Sequence, residues 1–179
     1  MNKLKTVTVG YWSTKGLGSV CRMVVLYYGY CLKTKNYKLQ PIINEKLISY
    51  DGSEWHNNDK IALKKKNSLI NLPYIELIDS FGNNLLISQS NACLSYLGRR
   101  FNFFGNNEIE ETECEQLLLE TSDLRSIITS FAYTHYKNID LENNAAKEVF
   151  LKVFQNNNVG KLQKFENWLL SNNNDNNHY

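Results

Sequence analysis

The sequence predicts an α/β domain over residues 1–101, an all-helical segment over 108–171 and a low-complexity, disordered asparagine-rich tail over 172–179. Three observations predict it. Residues 6–43 read as strand, helix, strand. Ile70 to Arg100 holds a proline turn, a β-hairpin and a helix start in close succession. Glu108 to Tyr136 repeats Leu117, Leu118, Leu124, Ile127, Ile128 and Phe131 at helical spacing after acidic first turns.

In order along the chain, Thr6-Val7-Thr8-Val9-Gly10 alternates and ends at glycine, as a strand does. Tyr11 to Gly16 is read as the loop that follows. Leu17 to Gly29 puts Val20, Cys21, Val24, Val25 and Tyr28 on one helical face, with Gly29 as the stop. Tyr37 to Ile43 is β-prone, and Pro41 confines it to a sheet edge. Ser53 to Lys66 is polar and weakly helical, anchored by Trp55, and Lys64-Lys65-Lys66 reads as a solvated end.

Pro73 precedes the strand Tyr74 to Asp79, Phe81-Gly82-Asn83-Asn84 is a hairpin turn, and Leu85 to Ser88 is the returning strand. A helix begins at Ser90. The order β-α-β-α-β-β-α is that of a thioredoxin-like fold. After a linker at Phe101–Asn107, helices are expected over Glu108–Tyr136, Leu141–Phe154 and Lys161–Leu170.

The formal net charge of +2 makes no case for nucleic acid. Residues 1–66 carry twelve Lys/Arg against four Asp/Glu, and residues 67–179 carry eight against fourteen, so the halves stand at +8 and −6. No apolar stretch is long enough for a membrane span. The N-terminus shows no signal peptide, and a cytoplasmic protein is expected. Cys21, Cys31, Cys93 and Cys114 have no metal-ligand spacing; Cys21, Cys93 and Cys114 read as buried free thiols. No metal is expected. His56, His135 and His178 have no neighbours that suggest catalysis.

A proline turn beside a helix N-terminus suits an extended anionic ligand, because both present unpaired backbone groups. The residues resemble a family at this point. Gly10-Tyr11-Trp12-x-x-x-Gly16-Leu17 followed by Arg22, then Asn71-Leu72-Pro73-Tyr74, then Ser88-Gln89-Ser90-Asn91-Ala92 with Tyr96-Leu97-x-Arg99, and Asp123-x-Arg125 with Tyr133, occur in order. The chain resembles the glutathione transferases, and most closely the mu class, in a C-terminally shortened form.

The resemblance implies a detoxifying transferase that joins glutathione, its co-substrate, to an electrophilic small molecule, as a homodimer. Glutathione's thiol has a pKa of about 8.5, so a donor aimed at the sulfur is needed to hold thiolate at neutral pH. The resemblance gives that role to Tyr11. It places Trp12, Leu17, Trp55, Lys60 and Asn71 around glutathione, with a glycyl end among Trp12, Trp55, Lys60 and Asn71. It pairs Leu72, before a cis proline, with the cysteinyl residue. It sets Gln89 and Ser90 on the γ-glutamyl end, brings Asp123 across a dimer interface to its ammonium, and puts Tyr133 beside the electrophile as a proton donor.

The sequence also departs from that pattern. Gly52 replaces an arginine before Ser53, the stretch from Trp55 to Asn71 is longer, Leu69 replaces an aromatic interface key, and Ser95 replaces an interface arginine. The family's helical domain extends further than this sequence does. Two other readings follow: a glutathione- or ligand-binding module with little turnover, and a glutathione-dependent isomerase of the sigma type.

Overall fold

The computed structural model describes residues 4–44, 47–136 and 159–174. The expected helix over Leu141–Phe154 lies outside them. The elements run β1 (Leu4–Trp12), α1 (Gly16–Tyr27), β2 (Leu32–Tyr37), β3 (Gln40–Asn44) and β4 (Leu47–Asp51). One π-helical turn (Trp55–Asp59) then leads into α2 (Lys60–Lys64), followed by β5 (Tyr74–Asp79), β6 (Asn84–Ser88), α3 (Ser90–Arg100) and α4 (Glu108–Tyr136). A last described helix spans Val159–Asn174.

The chain divides into two compact units, Met1–Ile42 with Tyr50–Glu115, and Ile43–Ser49 with Gln116–Tyr179. The first holds a four-stranded sheet of order β2-β1-β5-β6. β1 and β2 are parallel, from Val7 opposite Leu32 to Trp12 opposite Tyr37. β5 runs antiparallel to β1, and β6 antiparallel to β5. This is the expected thioredoxin-like α/β order.

Strand alternation divides the core. Val7 and Val9 of β1 and Ile75 and Leu77 of β5 turn one way. They form one buried cluster with Cys21 and Val25 of α1, Cys93 and Leu97 of α3, and Phe101. Each such aliphatic side chain contributes roughly 1.5–3 kcal/mol by leaving water. A second cluster gathers Tyr37, Trp55, Ile70 and Tyr74, with Trp12, Leu63, Leu72 and Leu86 packed on it.

Both core helices end in the same way. At α1, Gly29 (φ 68°) lets its N–H reach the Leu26 carbonyl and the Tyr30 N–H reach that of Val25. At α3, Asn102 (φ 60°) takes the glycine's place, with Phe103 bonded back to Gly98. These paired bonds satisfy carbonyls that a helix end leaves open.

Three expectations are corrected. The second strand is Leu32–Tyr37, not Tyr37–Ile43. Its residues 33–36 are exposed and polar, so an edge strand formed with no alternation to read. The run around Pro41 instead enters a separate two-stranded ribbon with β4, where a residue without an N–H is tolerated. β1 extends through Tyr11 and Trp12, so these residues end a strand and do not begin a loop.

The second unit contains most of α4, whose bounds match the expectation. The helix Val159–Asn174 continues through Asn172–Asn174, which were expected in the tail. Within this unit Lys164 pairs with Glu120. All four cysteines are free; Cys21 and Cys93 are buried, Cys31 is exposed, and Cys114 is only half-buried because α4 leaves that face partly open. No described helix is long and apolar enough to cross a membrane.

Candidate functional site

The sheet brings three motif segments to one end. Gly10 stands opposite Tyr74, and Tyr74 opposite Ser88. The residue after Gly10, the residues before Tyr74 and the residue after Ser88 therefore meet at one edge. They are Tyr11, the Leu72–Pro73 pair and Gln89. Ser88 Oγ donates to the Leu69 carbonyl at 2.9 Å, which ties the end of β6 to the segment leading into the proline turn.

Tyr11 is buried. Its ring lies along the first turn of α1 because that turn begins with glycines. A Cβ on Gly18 would meet Tyr11 Cβ at 2.5 Å, and one on Gly16 (φ 33°) would meet the Tyr11 hydroxyl at 2.7 Å. The hydroxyl makes no hydrogen bond among the described residues. Leu17, next on α1, is half-buried.

The Leu72–Pro73 peptide is cis. The Leu72 N–H donates to Asn71 Oδ1 at 3.0 Å. A peptide ligand adding to this edge must exchange that bond, or use the Leu72 carbonyl alone. Gln89 is exposed and holds a φ of 75°, unusual for a residue with a side chain. Ser90 is the first residue of α3, and no side chain caps the helix. The first N–H groups of α3 are therefore open to an anion, where the helix dipole favours negative charge.

Trp55 is fully buried between Tyr37 (ring centroids 4.9 Å) and Tyr74 (5.9 Å). Its indole Nε1 is buried with no hydrogen-bond partner among the described residues. A buried donor without an acceptor costs about 1–3 kcal/mol. The π-turn settles the register above Trp55. The Lys60 N–H bonds the Trp55 carbonyl five residues back. An α-helix would put Asp59 there; the widened turn puts Lys60 one turn on from Trp55.

Asp59 turns instead to Tyr37, whose hydroxyl donates to Asp59 Oδ2 at 2.7 Å and lies 3.0 Å from the Tyr74 hydroxyl. Burial, reinforced by these hydrogen bonds, pushes the Tyr37 phenol far above its usual range. Lys35 adds an ion pair to Asp59 at 3.2 Å.

Trp12 is half-buried with exposed His56 beside it, ring centroids 5.9 Å apart. Gly52 is buried beneath both: a Cβ there would lie 2.9 Å from Trp12 and 3.2 Å from His56. Asp123 is exposed on α4 in the second unit, and Tyr133 belongs to the same helix. The first unit thus gathers Tyr11, Trp12, Leu17, Trp55, Lys60, Asn71, Leu72, Gln89 and Ser90. No metal-holding cluster occurs among the described residues.

The chain is 32% identical over 129 residues to glutathione S-transferase 2 of Gallus gallus, covering 72% of this chain and 52% of that protein. It is 34% identical over 128 residues to glutathione S-transferase Mu 6 of Mus musculus, covering 72% and 53%. The chain is similar to glutathione S-transferases. It spans about half the length of the curated relatives it matches. No family model matches it.

Among solved structures, the Fasciola hepatica sigma class GST aligns with a TM-score of 0.64 at 16% identity, over 93% of this chain and 68% of that one. A nematode-specific GST of C. elegans aligns at 0.57 and 20% identity, over 96% and 68%. The fold is the glutathione-transferase fold, a thioredoxin-like domain followed by helices.

Sequence reasoning missed two parts of this candidate site. The Tyr37–Asp59–Tyr74 network joins residues far apart in the chain, with no motif between them. The π-turn has no composition signal; the longer stretch after Trp55 is its only trace in sequence.

Proposed function

We propose that the chain is a glutathione transferase of the mu type, joining the glutathione thiolate to an electrophilic carbon. One observation carries the reading. Tyr11 ends β1 with its hydroxyl against Gly16 and without a hydrogen-bond partner among the described residues. A phenol stays protonated at neutral pH and can donate to a sulfur. Such a bond favours the thiolate over the thiol.

The other residues take supporting roles. The edge at Leu72–Pro73 receives the cysteinyl backbone after Asn71 swings away. Gln89, Ser90 and the open N–H groups of α3 take the γ-glutamyl carboxylate. Trp55 Nε1 and Lys60 face the glycyl carboxylate. Asp123 reaches the ammonium from the second copy of a homodimer, and Tyr133 lines the electrophile side. The protein works in the cytoplasm, and its electrophile is a small organic molecule.

Conjugation of glutathione to a generic aryl halide tests the reading, with Tyr11→Phe as control. The expected result is turnover by the wild type and a loss of about a hundredfold in Tyr11→Phe. Bound glutathione with no conjugation above background would leave a binding module and remove the transferase.

A further inference from the structure

Arg22 is the part of the first motif that the glutathione reading leaves unused. From α1 its Nη2 reaches back to the carbonyls of Thr14 at 3.1 Å and Lys15 at 3.4 Å. The Lys15 carbonyl also accepts the Ser19 N–H at 2.9 Å. Lys15 precedes Gly16, the residue against which the Tyr11 hydroxyl rests. Arg22, the Lys15–Gly16 peptide and Tyr11 thus form a continuous chain of contacts.

Two features set Arg22 apart from an ordinary loop brace. Its Nη1 is buried and has no hydrogen-bond partner among the described residues, so one donor of the fork is spare. Its charge also returns to the N-terminal end of α1, where the first turn holds no acidic residue and no side chain caps the helix. A cation there opposes the helix dipole. Helix stability does not explain this placement, whereas an anion held in front of Tyr11 would.

We propose that Arg22 is a positioning residue for the Tyr11 hydroxyl. It fixes the Lys15–Gly16 peptide beneath the phenol, and its charge favours the thiolate that the phenol binds. The inference rests on the glutathione reading. Loss of Arg22 frees the peptide and removes a nearby positive charge, and both effects raise the pKa of the bound thiol.

The experiment titrates the ultraviolet absorbance of bound glutathione thiolate against pH in the full chain. Wild type is compared with Arg22→Ala and Arg22→Gln, each checked by thermal melting. Arg22→Gln keeps one donor for the Lys15 carbonyl and serves if Arg22→Ala does not fold. The expected result is a midpoint raised by about one pH unit, equal to roughly tenfold less thiolate at a fixed pH below it. A folded variant that titrates at the wild-type midpoint overturns the inference and leaves the glutathione reading standing. A wild type that holds no thiolate overturns both.

Discussion

Tyr37 donates its phenol hydrogen to Asp59 at 2.7 Å, joining the end of β2 to the π-turn that carries Trp55 and Lys60. The bond exists because the extra residue of the π-turn rotates Asp59 away from the position above Trp55. The fully buried Trp55 is held between Tyr37 and Tyr74 in the same cluster. Tyr74 in turn needs Gly10, since any side chain at that position would overlap its ring. Gly10, Tyr37, Asp59 and Tyr74 therefore support the candidate site from beneath.

Tyr37→Phe is expected to lower stability by about 1–3 kcal/mol in denaturant unfolding, because it strips both Asp59 and Tyr74 of a buried partner. A loss below a few tenths of a kcal/mol would show the network to be slack.

The same residue gives a pH signature. Burial and then its hydrogen bonds raise the folded-state phenol above the ordinary value of 10.0. Its contribution is therefore fully present below pH 10 and declines above it, as the unfolded chain ionises first. Wild-type melting temperature should fall above pH 10, and the fall should be shallower in Tyr37→Phe. Parallel curves would contradict this.

Gly18→Ala should push the Tyr11 ring off α1, since the new methyl would sit 2.5 Å from Tyr11 Cβ. The expected cost is about 1–3 kcal/mol of stability, together with a loss of conjugation rate larger than the loss of glutathione affinity. Steady-state kinetics beside calorimetric binding would separate the two.

Gly52→Arg restores the residue that the resemblance implies, yet it should not tighten glutathione binding. Its Cβ would press on Trp12 and His56 before its charge could help. Weaker binding and a changed tryptophan emission are expected. A tighter complex would show that Trp12 yields easily.

Thiol reagents should find one fast site. Cys31 is exposed, whereas Cys21 and Cys93 are buried. The hydrogen bond that Cys93 donates to Cys21, with burial, pushes the Cys93 thiol up and keeps it protonated. Burial and the neighbouring carboxylates of Glu110, Glu113 and Glu111 likewise push the half-buried Cys114 up. Cys31→Ser should abolish the fast phase of colour release with a disulfide reagent.

The sequence alone determined α1, α3, α4 and the central hairpin. α4 was legible from its apolar spacing and acidic start, and α3 from Ser90 onward. β5 and β6 followed from Pro73 and the turn at Gly82. These signals are local: a period, a cap, a turn residue. The four motifs also named the candidate site residues other than Trp55 and Lys60, in order along the chain.

Tertiary structure decided what depends on a distant partner. β2 forms from Lys33-Thr34-Lys35-Asn36, a run with no apolar face, because β1 offers it a parallel ladder from Val7 to Trp12. Tyr11 became the end of a strand through that same pairing. The π-turn puts Lys60 one turn on from Trp55, and Asp59 bonds Tyr37 across the cluster. Local propensity cannot encode these outcomes, because each is set by a hydrogen bond or a packing contact that exists only once the sheet has closed.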